Sequence, residues 1–189
     1  MFKNNSIIQF KYWNILMILK PCGEIIMSID AKIFMYIHKL ILKKENLKKP
    51  LYFITRASSR FFVVFYAGCV LYLLFNLDKR LIKFLLIPAL VFVTVSALRK
   101  IINRKRPFEA LEIEPIVYHD TGGSFPSRHA SSAMIIALSV YWIHPLAGIL
   151  CIGVAVLTAA SRVLAGVHYP LDVLGGIFLS FVFFKLFLI

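Results

Sequence analysis

Three short clusters carry the side chains that could do chemistry in this chain. Ser127, Arg128 and His129 stand together in "SFPSRH", Arg162, His168 and Asp172 punctuate "SRVLAGVHYPLD", and Arg99, Lys100 and Arg106 lie in "RKIINRKRP". Arginine supplies fixed positive charge and forked donors that match the oxygens of phosphate. A helix opening at Ser127 adds backbone N–H groups and the positive end of its dipole. His168 stands just before a helix whose first turn carries Asp172. That carboxylate can accept a proton from one ring nitrogen and leave the other free to attack, which is nucleophile-and-orienter logic with imidazole as the nucleophile. Each cluster alone has an ordinary reading, as a basic helix stop, an N-cap or a snorkelling arginine. Taken together they describe a site for a tetrahedral oxyanion, and ionisable groups beside apolar helices are usually functional.

The elements that must position these groups are membrane helices. The chain has 189 residues, is 60% hydrophobic and only 16% charged, against about 25% charged in a soluble domain. Five apolar runs, about Leu51–Phe75, Phe84–Leu98, His129–Ile143, Leu146–Ala160 and Leu171–Ile189, are candidate spans. No Asp, Glu, Lys or Arg occurs between Arg128 and Arg162; as one helix that stretch would be roughly 50 Å long, so it must turn back, at "IHPLAG". The expected fold is an all-α polytopic membrane bundle of about five spanning helices. Residues 1–49 form an N-terminal segment and 50–189 the membrane domain. Within the first, Ser28 to Lys49 mixes Lys32, Lys39, Lys43 and Lys44 with apolar residues, as an interfacial helix does; a sixth span is the alternative reading of the N-terminus.

Parity brings the clusters together. If the polar loop with Glu109, Glu112, Glu114 and Asp120 does not cross, all three clusters lie on one face and the hairpins at Asp78–Lys83 and His144–Leu146 on the other. His119 and Asp120 sit in that loop, which either closes over the substrate or is a solvated connection. Charge placement excludes nucleic acid as a partner: the net charge is +13, but the basic residues lie between apolar runs. Anionic lipid or a phosphorylated lipid suits them better. Cys22, Cys69 and Cys151 are widely spaced in apolar surroundings and read as packed thiols, not a disulfide frame or zinc site.

At this point the motifs resemble those of the type 2 phosphatidic acid phosphatase superfamily, the lipid phosphate phosphatases. Ser161, Arg162, His168 and Asp172 match its third motif; Pro126, Ser127 and His129 match the second, with Arg128 at its variable position; Arg106 and Pro107 end the first. Arg99 stands where the family has lysine, with Lys100 one residue late. The resemblance covers about Leu51 to the C-terminus. It implies that His168 attacks phosphorus to give a phosphohistidine, that Asp172 orients it, and that His129 serves first as acid and then as base. It further implies that Arg99 or Lys100, Arg106, Ser127, Arg128 and Arg162 hold the phosphate oxygens.

The motifs contain no carboxylate cluster, so no metal and no cofactor are expected. Small bacterial-type members with this span count resemble undecaprenyl diphosphate phosphatases. Phosphatidylglycerol phosphate, phosphatidic acid and a lipid A-type phosphate are the alternatives, and a non-catalytic lipid-binding or transport subunit is the reading outside the class. The cell membrane is the expected location. Lys79, Arg80 and Lys83 lie on the face away from the site, while Lys39, Lys43, Lys44, Lys48 and Lys49 lie on its own face. These charges pull orientation in opposite directions, and the resemblance places the site outside the cytoplasm.

Overall fold

The computed structural model describes residues 29–41, 45–117 and 122–188. Helix α1 covers residues 29–41. It is followed by α2 (Glu45–Phe75), α3 (Leu81–Ile102), α4 (Pro107–Ala110), α5 (Arg128–Ile143), α6 (Pro145–Leu164) and α7 (Pro170–Phe187). The fold is all-α, with no strand among the described residues. Residues 1–28, with Cys22 among them, and Lys43, Lys44, His119 and Asp120 lie outside the described residues, and so do the expectations placed on them.

The apolar runs become helices as their composition requires. Four stretches are long and apolar enough to cross a bilayer: Asn46–Phe75, Leu81–Ala110, Pro145–Leu164 and Pro170–Phe187. The run read as a third span is α5, which has 16 residues. At 1.5 Å per residue that is about 24 Å, short of the ~30 Å hydrocarbon core. Its surroundings explain the difference. Helix α5 packs against α2, α3, α6 and α7 and is buried without interruption from Ala133 to Val140, so protein and not lipid covers it. The division drawn between residues 49 and 50 falls inside α2, which begins at Glu45 and carries Pro50 within it.

The reversals follow local chemistry. Between α2 and α3, Asp78 accepts the Arg80 backbone N–H at 2.9 Å and the Arg80 guanidinium, closing a turn that includes Leu77 at φ 48. Between α5 and α6, Pro145 opens the new helix and the His144 Nδ1 accepts the Ala147 N–H at 3.3 Å. The two helices meet closely there because residue 148 is glycine: a Cβ would lie 2.1 Å from the Tyr141 Cα.

Inward stripes then place the polar groups. On α3, Phe84, Ile87, Val91 and Val95 are buried and the same stripe ends at Arg99, so the helix that packs the core also delivers a guanidinium at its end. Helix α1 buries Asp30, Phe34 and His38 while Ile33, Tyr36 and Leu40 are exposed, so its inward stripe carries two ionisable groups and its outward face apolar ones. Phe34 joins Ala130, Ala159, Val163, Tyr169 and Val173 in one apolar cluster, which sets α1 over the connection between α6 and α7.

Helix α7 is drawn onto the start of α5 at Gly176, where a Cβ would stand 2.7 Å from the Ser127 carbonyl oxygen and 3.2 Å from the Ser131 nitrogen. Gly176→Ala is expected to lower the melting temperature in detergent, because the obstacle is backbone and overpacking of this kind costs ~1–3 kcal/mol. Gly153→Ala, which meets nothing within 4 Å, is expected to leave it equal or higher, since alanine is the better helix former. Equal melting temperatures for the two variants would contradict the close approach.

Candidate active site

The third motif is built by a tight connection and a helix start. Residues 165–169 join α6 to α7, with Gly166 at φ 83, a left-handed conformation glycine adopts without strain. Pro170 at the first position of α7 suits a helix start. His168, on the connection, and Asp172, in the first turn, are both fully buried. The His168 Nδ1 stands 3.4 Å from the Asp172 Oδ2, beyond an ordinary hydrogen bond, and neither ring nitrogen has a hydrogen-bond partner. The same carboxylate oxygen accepts the Tyr169 N–H at 2.9 Å, which ties the helix start to the group that faces the histidine.

The second motif meets the third directly. Ser127 caps α5, its hydroxyl accepting from the Ala130 N–H at 3.5 Å, and its own N–H donates to the Asp172 carbonyl at 2.8 Å. The first turn of α5 is therefore hydrogen-bonded to the first turn of α7. Arg128 is exposed and His129 half-buried. Both line a groove of about 440 Å³ with Ser59, Phe62, Val63 and Tyr66 of α2, Phe92 of α3 and Thr158 of α6.

Arginines surround this junction. Arg99, Arg106 and Arg162 are all buried. Arg99 lies within electrostatic range of Arg106, Arg128 and Asp172, Arg162 within range of Arg106, and His168 within range of Arg106 and Arg99. The Arg106 Nε donates to the Gly122 carbonyl at 3.3 Å and its Nη1 to the Val167 carbonyl at 3.4 Å, which holds it against the histidine's own connection. Arg162 donates to the Thr55 carbonyl at 3.1 Å and to the Ser59 hydroxyl, bracing α6 to α2, while its Nε is buried without a partner. Lys100 is not brought to this group: one residue beyond Arg99, it is exposed and off the buried stripe of α3. A helix turns about 100° per residue, so Arg99 and not Lys100 occupies the inward position.

Three contributors have no place in the motifs. Arg104 donates from Nη1 to the Asp172 Oδ1 at 2.8 Å and from Nη2 to the Asp30 Oδ2 at 2.7 Å. Ser59 lies on a helix that carries no motif, yet contacts Arg162. The only sequence signals for Arg104 and Asp30 are charge in apolar company. Among the described residues no group of three His, Cys, Asp or Glu side chains could hold a metal ion, and both carboxylates beside Arg104 are held by it.

Burial is the main cause that pulls the His168 pKa down, to about 4. The Asp172 carboxylate opposes this and the charges of Arg106 and Arg99 reinforce it. Burial thus favours the neutral imidazole across the physiological range. The folded pKa lies below the ordinary value of 6.5, so the unfolded chain takes its proton first as the pH falls. This group's contribution to stability is complete above about pH 6.5 and declines toward pH 4. A ¹⁵N-histidine NMR titration of the protein is expected to show one imidazole that stays neutral until near pH 4 and disappears in His168→Ala; protonation of that resonance near 6.5 would refute the buried setting.

The comparisons with known proteins identify the family and the fold. Residues 80–189 match the model of the PAP2 superfamily. A "bacitracin transport permease protein BcrC" of Bacillus licheniformis is 30% identical over 160 residues, 82% of this chain and 75% of the relative. An "undecaprenyl-diphosphatase BcrC" of Bacillus subtilis is 34% identical over 84 residues, 42% of this chain and 44% of the relative. The crystal structure of a transmembrane PAP2 type phosphatidylglycerolphosphate phosphatase from Bacillus subtilis superposes with a TM-score of 0.69 over 98% of this chain and 94% of the other, at 24% identity; that likeness shows the fold. With the family model covering more than half of the chain and a relative 30% identical across most of it, this protein belongs to the PAP2 superfamily, as a membrane-embedded lipid phosphatase.

Proposed function

We propose that this protein hydrolyses undecaprenyl diphosphate to undecaprenyl phosphate, through a phosphohistidine on His168 and without a metal ion. The observation that carries the reading is the buried, neutral His168, with Nε2 unpartnered, Nδ1 facing Asp172 and arginines around it. The Nε2 lone pair attacks the terminal phosphorus in line as the bond to the bridging oxygen breaks. His129 gives a proton to the departing lipid phosphate. It then takes one from water, whose oxygen attacks the same phosphorus, breaks the P–N bond and releases inorganic phosphate. Arg99, Arg106, Arg128 and Arg162, with the Ser127 hydroxyl and the first turn of α5, hold the oxygens on which charge builds up.

Substrate class is supported by the groove. It is lined mainly by apolar side chains and has Arg128 and His129 in its wall; Val63 of α2 and Phe92 of α3, which also line it, are exposed. An isoprenoid or acyl tail can lie there while its phosphate reaches the arginines. The carrier-lipid reading draws on the relative named an undecaprenyl-diphosphatase. Phosphatidylglycerol phosphate is the substrate class in the name of the protein with the superposed structure and is the first alternative. The word "transport" in the name of the Bacillus licheniformis relative favours a second reading, binding without hydrolysis, which gives no reason to hold His168 against Asp172. We also propose that the site faces outward, so that under a five-span arrangement the C-terminus is cytoplasmic.

Phosphate release from undecaprenyl diphosphate by the detergent-purified protein in excess EDTA is expected. It should vanish in His168→Ala and fall ~10²–10⁴-fold in His129→Ala. Activity that EDTA abolishes and Mg²⁺ restores would overturn metal independence. Release only from phosphatidylglycerol phosphate would keep the site and change the substrate, and binding without release from any lipid phosphate would leave the second reading. Activity of a phosphatase reporter fused after the last residue would place that end outside and overturn the orientation.

A further inference from the structure

We propose that Asp30 and Arg104 are positioning residues for His168: a buried chain of charge runs from α1 through the turn after α3 to Asp172 and sets the orientation and field of the nucleophile. The inference rests on His168 being that nucleophile.

Arg104 reaches its place because α3 ends at Asn103, which takes left-handed backbone angles and returns its N–H to the Arg99 carbonyl. The chain turns, and the Arg104 guanidinium lies 4.0 Å over the Tyr169 ring with its side chain 9% exposed. Its two terminal nitrogens go to two carboxylates, Asp172 at 2.8 Å and Asp30 at 2.7 Å. Both terminal nitrogens are therefore engaged by carboxylates and only Nε is left buried without a partner, whereas the terminal nitrogen of Arg162 goes to a carbonyl and a hydroxyl. Asp30 has its other oxygen on the Leu171 N–H at 3.1 Å, one of the N–H groups at the start of α7 that a helix leaves unpaired. A carboxylate 1% exposed is costly to bury unless it is paired; here both its oxygens are used, and both uses fix the first turn of α7.

The chain of contacts acts on chemistry because Asp172 is shared. One of its oxygens takes Arg104 and the other faces His168. Positive charge on the Arg104 side draws on the carboxylate and weakens its hold on the imidazole proton; Asp30 offsets part of that charge. The charged and titratable groups around His168 are Asp172 of α7, Arg104 and Arg106 of the turn, Arg99 of α3, Arg128 and His129 of α5, Arg162 of α6, and Asp30 and His38 of α1. Among them the Asp30–Arg104 pair makes its contact through the carboxylate that faces the nucleophile. Its two members carry opposite charge, so they have opposite effects on the same titration.

The test is kcat and KM against pH for the full chain in detergent, with undecaprenyl diphosphate and phosphatidylglycerol phosphate as substrates. Wild type is compared with Arg104→Gln, Arg104→Lys, Asp30→Asn and His168→Ala. Arg104→Gln is expected to reduce kcat at least ~10-fold with KM changed less than ~3-fold, and to move the acid limb of kcat/KM upward by ~1 pH unit, the lower end of what one adjacent charge does. Arg104→Lys should return the limb toward wild type, because the charge is restored. Asp30→Asn should move the limb downward. Should Asp30→Asn fail to fold, Asp30→Glu takes its place as the charge-keeping control: the limb is expected to stay at the wild-type pH in Asp30→Glu while Arg104→Gln moves it, and a limb that moves in Asp30→Glu or stays in Arg104→Gln overturns the proposal. A purely structural pair would lower activity in both variants with the limb unmoved, and that outcome overturns the proposal. A raised KM at unchanged kcat does so as well, since it assigns Arg104 to substrate. If His168→Ala itself retained turnover, the nucleophile reading would fail; if it were inactive while Arg104→Gln and Asp30→Asn kept the wild-type limb, the positioning role alone would fail.

Discussion

The carboxylate of Asp172 is where the molecule is tied together. One oxygen takes Arg104 from the turn after α3, the other takes the Tyr169 N–H and faces His168, and the residue's carbonyl takes the Ser127 N–H at the head of α5. Three stretches that are distant in the chain are fixed to one residue in the first turn of α7. Because the carboxylate is fully buried, each of these bonds is exchanged against little water, and losing any one leaves a polar group in an apolar place. The helix pack and the chemistry share that requirement. Glycine at position 176 lets α7 approach α5 closely enough to satisfy it.

Arginines inside a membrane bundle need an equally specific justification. Arg104 is neutralised by two aspartates, and Arg162 is supplied with acceptors from α2. Arg99 makes no ion pair among the described residues and lies near the like charges of Arg106 and Arg128, with Asp172 in range. An excess of positive charge concentrated where the backbone N–H groups of α5 also begin is a poor arrangement for stability and a good one for a multiply charged anion. The short α5 makes it possible: surrounded by other helices, it can begin at the depth of the site, since it has no lipid thickness to match.

Much of this was legible in the sequence, because the relevant spacings are local. His168 and Asp172 are one helical turn apart, and Arg99 to Arg106 or Ser127 to His129 are short enough to be read as units. Apolar runs marked the helices, since bilayers leave few other backbone solutions. The choice between Arg99 and Lys100 needed the helix phase, which the buried positions of α3 supply. The parts that stayed hidden are those set by tertiary contact. Arg104 is one more cation in "RKIINRKRP" until Asn103 reverses the chain. Asp30 sits in a lysine-rich amphipathic segment whose pattern speaks only of an interface, and its partner lies far along the chain. Ser59 is an ordinary helix serine until Arg162 reaches it. Hydropathy alone did not place α5 at the centre of the bundle, because an apolar run covered by protein and one covered by lipid have the same composition.

The groove beside His129 is lined by α2 and α3 side chains, of which Val63 and Phe92 are also exposed on the outside of the bundle, as a lateral entrance from the bilayer would require. A lipid that enters sideways never leaves the plane of the bilayer, and neither does its dephosphorylated product; only the freed phosphate departs into water. The encounter is therefore two-dimensional. Turnover responds to the mole fraction of substrate among its neighbouring lipids, and inert lipid added to the membrane slows the protein by dilution within the surface while the bulk concentration of substrate stays the same.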